Sequence, residues 1–518
     1  MIGEALPLLL LTLTFGALLL GFPVAFTLCG VSLGFALIAG IFGQFDATLL
    51  LALGPRIWGV LTNELLLAIP LFILMGTVLD RSGIAADLLK TMGDLMHRVP
   101  GGLGLSLCVV GALLAASTGI VGATVIAMGL ISLPALLARG YPAPLASGLI
   151  CATGSLGQII PPSIVLVLLA DQLGAVYGEA QRAAGNWTAQ PISVGDLFAG
   201  ALVPGLLLVG VYALYLLAVC WFRRIDLDGV DQARAPIAAG QLMRAFLAPL
   251  FLLVAVLGSI LGGVATPTEA AGLGAAGAIL LAGSKAGMAG RRLVWLGVLA
   301  IILALVLRTL GDGRMPGLFE STPAAVAYIS MILAALMFAA ALTFSVAITF
   351  KAGVLVTALR QTLEISAMVY GILIGATCFA LVFRGLEGDA IVGEFLTTLP
   401  GGEIGALAFV MIVIFVLGFF LDVIEIIMLA VPILALSLLQ TVDPLWFGVL
   451  VAVNLQTSYL TPPFGFALFY LRGVAPETVR TVDMYRGVLP FAALQLIVLG
   501  ILLAVPGLVT ALPQWLRG

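Results

Sequence analysis

Two short clusters of hydroxyl-bearing and small residues interrupt apolar stretches of the chain. Ser117-Thr118-Gly119 lies inside the stretch 103–137, and Thr153-Gly154-Ser155 comes shortly before Pro161-Pro162. Hard cations take oxygen ligands, and unwound backbone carbonyls at membrane depth coordinate Na⁺. A helix-packing surface of small residues would produce a similar pattern. Because a related arrangement with a second proline pair occurs later in the chain, we interpret these residues as a cation site.

The second arrangement carries acidic groups. Asp422 and Glu425 interrupt the stretch 404–439, and polar residues at 454–461 lead to Pro462-Pro463. A carboxyl group at membrane depth is costly unless it is paired, hydrated or bound to a cation, so these two are functional candidates. The alternative is that the tip reaches an aqueous cavity and the acids are simply solvated. Half-helix N-termini opposite such tips suit an anionic carboxylate.

The candidate site residues fall into two groups. The candidate sodium ligands are Ser117, Thr118, Gly119, Thr153, Gly154, Ser155, Asp422, Asn454, Thr457 and Ser458. The candidate substrate contacts are Gln158, Pro161, Pro162, Ser163, Gln456, Thr461, Pro462, Pro463 and Arg384. For Arg384, an interfacial side chain that extends toward water is the preferred alternative. The first set offers only neutral oxygens, which favours Na⁺ over H⁺ as coupling ion, while Asp422 and Glu425 leave a proton-linked second site open.

The composition requires a membrane around these clusters. Only 9% of the 518 residues are charged and 62% are hydrophobic, whereas about 25% are charged in a typical soluble domain. Continuous apolar runs such as 203–222 and 404–420 fit transmembrane helices, since alternating strands would be expected of a barrel. The sequence therefore predicts an all-α, polytopic membrane protein embedded in a lipid bilayer.

Several other functions are excluded by what the sequence lacks. Five scattered cysteines and one histidine, His97, give no disulfide framework or zinc motif, and we expect His97 to be interfacial. The net charge of −3 without a basic block argues against nucleic-acid binding, and no ATP-binding loop motif is present. An intramembrane enzyme is disfavoured because the formal GxSxG match, Gly30–Gly34, lies inside an apolar span. The first apolar run lacks a cleavage signal and is expected to be retained.

An internal repeat relates the two clusters. Pro-Gly-Gly at 100–102 and at 400–402 precedes each interrupted stretch, and Pro-Leu-x-x-Gly follows at 144–148 and 444–448. Double prolines then break the helices predicted at 144–170 and 445–471. Lys and Arg flank the first copy while Asp and Glu flank the second, so the positive-inside rule predicts inverted copies. Inverted repeats with two re-entrant hairpins, 103–137 and 404–439, are typical of secondary transporters.

This repeat divides the chain into expected parts. They are N-terminal scaffold helices at 1–80, a first transport half at 81–195, scaffold helices at 196–362 with an added pair near 285–325, a second transport half at 363–475, and a C-terminal helix at 476–518.

The motifs resemble a known family. Ser117-Thr-Gly-Ile-Val-Gly122 and Gly157-Gln-Ile-Ile-Pro-Pro-Ser163 resemble the large, DctM-type membrane subunit of tripartite ATP-independent periplasmic (TRAP) transporters, and are similar to its mannitol/chloroaromatic or 2-oxoacid branch. Ala265-Thr-Pro-Thr-Glu-Ala-Ala271 and Thr461-Pro-Pro-Phe-Gly465 add to the resemblance. It covers most of the chain, but 171–195 and 285–325 look like extra length.

The resemblance implies a specific function. It implies a Na⁺-driven importer of a small organic acid in the bacterial inner membrane, with an elevator-type transport domain carried by the hairpins. It also implies two partners, a small four-helix membrane subunit and a periplasmic substrate-binding protein. An autonomous cation-coupled carboxylate symporter, which needs no binding protein, is the alternative that the residues leave open.

Overall fold

The computed structural model describes residues 2–96, 99, 101–119, 121–223, 246–285, 290–300 and 322–517. Within these ranges every regular element is helical, as the apolar runs predict. Residues 290–300 are also helical. The named helices are α1 (Ile2–Leu19), α2 (Val24–Ile41), α3 (Leu53–Leu61), α4 (Ala68–Arg81), α5 (Ile84–Leu95), α6 (Gly102–Thr118), α7 (Val121–Ala138), α8 (Ala143–Ser155), α9 (Ile164–Ala183), α10 (Val194–Arg223), α11 (Ala248–Leu261), α12 (Pro267–Gly283), α13 (Thr322–Lys351), α14 (Val354–Gly385), α15 (Gly388–Thr398), α16 (Gly402–Leu417), α17 (Val423–Leu438), α18 (Pro444–Leu460), α19 (Phe466–Arg472), α20 (Thr481–Ala504) and α21 (Gly507–Arg517).

Seven of the described helices are long and apolar enough to cross a bilayer, or eight if the bent pair at 47–81 counts as one span. About 20 residues are needed for a helix to cross the hydrocarbon core. Large apolar side chains such as Phe26, Ile41 and Trp221 are exposed on these helices. A bilayer has to cover them, since no packed core does.

Both predicted hairpins are present as pairs of helices. The first consists of α6 and α7, and the second of α16 and α17, so each hairpin turns where the polar and small residues were predicted to interrupt it. The first turn uses Gly119 at φ 60°, a left-handed conformation that glycine adopts without steric cost. The second turn spans 418–422 and ends with Asp422 as the N-cap of α17.

Both double prolines break helices at the predicted places. The first break separates α8 from α9, and the second separates α18 from α19. Proline lacks the amide hydrogen that a helix needs and clashes with the preceding turn, which explains the breaks. Pro161, Pro162 and Ser163 are buried, whereas Pro463 in the second break is exposed.

The two repeats are interlocked in the core. Helix α7 of the first hairpin packs on α8 and also on α19, the second half of the other repeat's broken helix. Helix α17 of the second hairpin packs in the same way on α9. Helix α14 packs on α2 and α4 outside this core and also contacts α17. The exchange of partners brings the turns and breaks of both repeats together.

The structure corrects one predicted boundary. The broken helix predicted at 144–170 was expected to end at residue 170, but α9 continues to Ala183. This extension is amphipathic, with Asp171 and Glu179 on its polar side, so hydropathy alone ended the helix too early. The added pair predicted near 285–325 lies largely outside the described residues, which there comprise 285, 290–300 and 322–325.

Candidate functional site

A central cavity forms where the turns of both hairpins face the breaks of both long helices. It has about 630 Å³ of empty volume, part of which is open to solvent. Its lining residues are Gly119, Val121, Gly122, Gln158, Ile164, Val165, Ile365, Met368, Val369, Asp422, Val423, Ile424, Tyr459 and Tyr470. A concave site lined by apolar residues with a few polar groups is typical of small-molecule binding.

The second hairpin turn is closed by its own side chains. Asp422 and Glu425 form a capping box at the start of α17, in which the Asp422 amide donates to Glu425 Oε2 at 3.1 Å. The Tyr459 hydroxyl donates to Asp422 Oδ1 and accepts the Val423 amide hydrogen at 3.0 Å. Tyr459 is buried and comes from α18. It therefore attaches the acidic turn to the second broken helix.

In the first hairpin turn, glycines allow the backbone to lie directly against neighbouring helices. A Cβ at Gly119 would lie 3.1 Å from Ile164 at the start of α9, and one at Gly122 would lie 2.9 Å from the Tyr470 ring. A Cβ at Gly154 would lie 2.4 Å from Val125. These glycines allow α7 to approach both broken helices closely. The side chains of Ser117 and Thr118 lie outside the described residues.

Gln158 is the polar side chain of the first repeat that lines the cavity. It is 1% exposed, and its Oε1 has no hydrogen-bond partner among the described residues. The Ser163 hydroxyl, across the proline break, donates to the Gln158 backbone carbonyl at 3.0 Å and so does not cap α9. An unpaired buried carbonyl oxygen costs about 1–3 kcal/mol, so a bound cation or hydrogen-bond donor that pairs with it would gain affinity.

Five hydroxyl-bearing site candidates near the two breaks each donate a hydrogen bond to a carbonyl of their own helix. Four of them are buried, and Thr461 is half-buried. Their contacts are Thr153 Oγ1 to Leu149 O (2.7 Å), Ser155 Oγ to Ala152 O (2.9 Å), Thr457 Oγ1 to Val453 O (2.8 Å), Ser458 Oγ to Leu455 O (2.7 Å) and Thr461 Oγ1 to Thr457 O (2.8 Å). Each hydroxyl uses its one hydrogen in these contacts, which leaves oxygen lone pairs for a cation. Among the predicted sodium ligands whose side chains the structure describes, Gly119 and Asp422 line the cavity and the others do not.

Equivalent residues of the two repeats contact each other. Gln456 Nε2 donates to Ser155 Oγ at 3.3 Å, and these residues are 301 apart in the chain, which is also the separation of the double prolines. If a twofold axis relates the two repeats, equivalent residues can touch only near that axis, so this contact marks its position. Around it, Gly111 packs against Thr153, and the equivalent Asn454 donates to Met411 O at 2.7 Å.

Arg384 lies at a different place from the central cavity lining. Its guanidinium pairs with Glu179 Oε1 at 2.8 Å and with Asp389 Oδ2 at 3.1 Å. Burial raises the pKa of Asp389 although the neighbouring Arg384 opposes this shift. Arg384 thus connects α9, α14 and the start of α15, and its guanidinium is already paired with two carboxylates.

Sequence reasoning missed the aromatic and apolar wall of the cavity. Tyr459 and Tyr470 were not among the predicted site residues, and neither were Ile365, Met368 and Val369 of α14. A tyrosine three residues before a double proline could have been noticed as the counterpart of Gln158. Nothing in the sequence distinguishes the three α14 residues from other apolar residues that face lipid.

No cluster of three or more His, Cys, Asp or Glu suited to a metal ion occurs in the described part of the chain. The Thr266–Glu269 pair forms a capping box at the start of α12 and is exposed. This arrangement agrees with a capping role for that motif.

Comparison with known proteins gives consistent relatives. The family model described as "Tripartite ATP-independent periplasmic transporter, DctM component" matches residues 11–292 and 284–508. The C4-dicarboxylate TRAP transporter large permease protein DctM of Vibrio cholerae is 27% identical over 98% of both chains. The sialic acid TRAP transporter large permease protein SiaM of the same organism is 24% identical over 97% of both. The isethionate TRAP transporter permease protein DctMQ of Oleidesulfovibrio alaskensis is 28% identical over 88% of this chain and 58% of its own length.

A solved structure shares the fold. The YdaH transporter of Alcanivorax borkumensis aligns over 89% of both chains with a TM-score of 0.54 and 16% identity. That likeness concerns the fold alone, while the family model covers nearly the whole chain. The chain therefore belongs to the DctM family, the integral inner-membrane permease component of tripartite ATP-independent periplasmic transporters, and it is a transport protein and not an enzyme.

Proposed function

We propose that this chain carries a small organic anion across the bacterial inner membrane, driven by Na⁺, with the anion bound in the central cavity. The observation that carries the proposal is the convergence of both hairpin turns and both helix breaks on one cavity. In secondary transporters, substrate and coupling ion bind near the midplane where inverted repeats meet. The relatives described above are named for C4-dicarboxylates, sialic acid and isethionate, which are all organic acids.

The Na⁺ assignment rests on the neutral oxygens around the first break. Thr153 and Ser155 contribute hydroxyl oxygens whose hydrogens are engaged by backbone carbonyls. The turn at Gly119 contributes backbone carbonyls, and Asn454, Thr457 and Ser458 occupy the related place in the second repeat. A desolvated monovalent cation suits such groups, whereas none of them binds a proton near neutral pH.

An elevator mechanism follows from the division of the chain into two parts. We assign the transport domain to 81–195 and 363–475, and the scaffold to 1–80 and 196–362, with 476–518 as a separate C-terminal helix. The interlocked packing of α7 on α19 and of α17 on α9 supports movement of both halves as one body. The contact of Thr362 with Thr77 on α4, at 3.5 Å between the hydroxyl oxygens, supports the assignment of the N-terminal part of α14 to the scaffold.

Two partners belong to this proposal. A small four-helix membrane subunit covers scaffold helices, and a periplasmic binding protein delivers the anion to the cavity. The family is tripartite, which supports partners of this kind. An autonomous symporter would instead take up its substrate without the binding protein.

Reconstitution in lipid vesicles tests the proposal. The full chain with the small subunit, a binding protein loaded with its acid outside, and an inward Na⁺ gradient should give uptake that stops when Na⁺ is replaced by K⁺. Uptake driven by a pH gradient in Na⁺-free buffer would contradict the ion assignment. Equal uptake without the binding protein would instead favour the autonomous symporter.

A further inference from the structure

A second concave surface lies on the helix at 290–300, outside the central cavity. It has about 660 Å³ of empty volume, part of which is open to solvent, and its lining residues are Arg291, Arg292, Trp295, Leu296 and Leu299. These residues recur at intervals of three and four, so they share one face of the helix. We call this face the basic groove.

The opposite face of this helix packs against the rest of the chain. Val294 is 2% exposed and forms a small apolar cluster with Leu280 of α12 and Ala341 of α13. A Cβ at Gly297 would lie 2.7 Å from the Ala341 side chain, so the helix approaches α13 closely. The basic groove is therefore turned away from the protein interior.

The two arginines of the groove are available to a ligand. Arg292 is exposed and Arg291 is half-buried. Neither has a hydrogen bond or an ion pair with any residue in the described ranges, whereas the nearby Lys285 is already paired with Asp87 at 2.7 Å. Guanidinium groups bind phosphate oxygens through paired, charge-assisted hydrogen bonds, so two adjacent arginines favour a phosphate-bearing anion.

The residues that follow place this groove at a membrane interface. Lys285 and the two arginines lie at the end of the helix that the positive-inside rule assigns to the cytoplasm. Trp295 is exposed one turn further along, as is typical of aromatic residues at the boundary between headgroups and hydrocarbon. Leu296 and Leu299 are 51% and 63% exposed and continue the same face. The groove thus changes from cationic to apolar in the order of a lipid molecule.

From these contacts we propose that the basic groove binds an anionic phospholipid of the cytoplasmic leaflet. The lipid phosphate lies at Arg291 and Arg292, and an acyl chain lies along Trp295, Leu296 and Leu299. A soluble anion would pair with the arginines alone, whereas the apolar part of the groove gains from covering by a chain attached to the phosphate. Basic residues at the cytoplasmic surface attract anionic lipids. This proposal does not depend on the proposed function, since the groove lies outside both repeats.

Lipid binding to the full chain tests the proposal. The delipidated chain in detergent is titrated with phosphatidylglycerol or with zwitterionic phosphatidylethanolamine, and bound lipid is measured by native mass spectrometry. Phosphatidylglycerol should bind about thirtyfold more tightly, which corresponds to ~1 kcal/mol for each of the two arginines. Equal affinity for the two lipids would overturn the proposal. Displacement of phosphatidylglycerol by an excess of inorganic phosphate would instead show that the groove takes a free anion.

A pair of double variants localises the site. Arg291→Gln combined with Arg292→Gln should remove the preference for phosphatidylglycerol. As a matched control, Lys90→Gln combined with Arg360→Gln removes two exposed basic residues that do not line the groove, and the preference should persist. An unchanged preference in the arginine variant, or an equal loss in the control, would contradict binding at the groove. The comparison of lipids on the unaltered chain remains decisive even if a variant fails to fold.

Discussion

The two repeats hold their hairpin turns in place by different kinds of contact. In the second, side chains hold the hairpin turn, since Tyr459 binds both Asp422 and the Val423 amide. In the first, glycines let the backbone approach directly, as Gly119 meets Ile164 and Gly122 meets Tyr470. The second break is partly exposed at Pro463, while the first is buried throughout.

The two repeats share their helical architecture but differ in the polar residues that line the cavity. The helices, turns and breaks recur in both copies, so the repeat specifies the shape of the cavity. The polar residues that line it are not shared, because Gln158 of the first copy corresponds to Tyr459 of the second. The second copy satisfies the start of α17 with its own carboxylates, whereas α9 of the first copy starts with no acidic residue in its first turn and no side-chain cap.

The largest difference in stability loss between the two copies is expected for substitutions at the equivalent glycines Gly148 and Gly448. A Cβ at Gly148 would lie 2.0 Å from the Gly487 carbonyl oxygen, whereas one at Gly448 would meet the Leu173 side chain at 2.7 Å. Gly148→Ala should therefore cost at least about 3 kcal/mol or prevent folding, because backbone cannot move aside. Gly448→Ala should cost about 1 kcal/mol, because a leucine can adopt another rotamer. Thermal unfolding in detergent measures both, and similar losses would contradict the comparison.

A second pair of variants tests the two cavity polar groups. Tyr459→Phe should destabilise the chain by about 1–3 kcal/mol, because the Val423 amide and Asp422 each lose a buried partner. Gln158→Met should be neutral or slightly stabilising without ligand, because its Oε1 has no partner to lose. The free energy of unfolding of each variant, compared in Na⁺ without substrate, checks this. A larger loss for Gln158→Met would show that its amide is satisfied.

The contacts beside the pseudo-twofold axis should give a smaller difference. Asn454→Leu should lose about 1 kcal/mol, because its amide bonds to Met411 O on another helix. Thr153→Val removes a hydrogen bond within one helix and should lose less. Both changes should raise the Na⁺ concentration needed for half-maximal uptake if both residues contribute to cation binding. An unaltered Na⁺ dependence in both would remove them from the proposed cation sites.

The smallest effect is expected outside the cavity, at Arg384. Its ion pairs are partly solvated, so Arg384→Gln should cost about 1 kcal/mol or less and leave substrate affinity unchanged. Because the folded-state pKa of Asp389 lies above the ordinary value of 3.8, its ionisation lowers stability as pH rises through that folded pKa. Loss of Arg384 should raise the folded-state pKa of Asp389 further. The free energy of unfolding should then fall more steeply as the pH rises above 3.8. Thermal unfolding midpoints of the unaltered chain and of Arg384→Gln, measured from pH 4 upward, check this pH dependence. A loss of substrate affinity in Arg384→Gln would show that Arg384 contributes to the substrate site.

Local signals in the sequence were enough to predict much of the architecture. Hydropathy and small residues predicted both hairpins, and Pro161-Pro162 and Pro462-Pro463 predicted both breaks, since each signal acts within a few residues of the chain. The same reasoning placed Gln158 and Asp422 among the site residues, because buried polar groups stand out in an apolar segment. It failed where a helix was amphipathic, as in the extension of α9 to Ala183.

Tertiary packing alone decided which residues meet. The contact of Tyr459 with Asp422 joins residues 37 apart, and that of Gln456 with Ser155 joins residues 301 apart. Helix α14 supplies an apolar cavity wall whose residues resemble any lipid-facing surface in sequence. A bilayer and a protein interior both favour apolar side chains, so composition determines that a residue leaves water but only packing determines which partner it contacts.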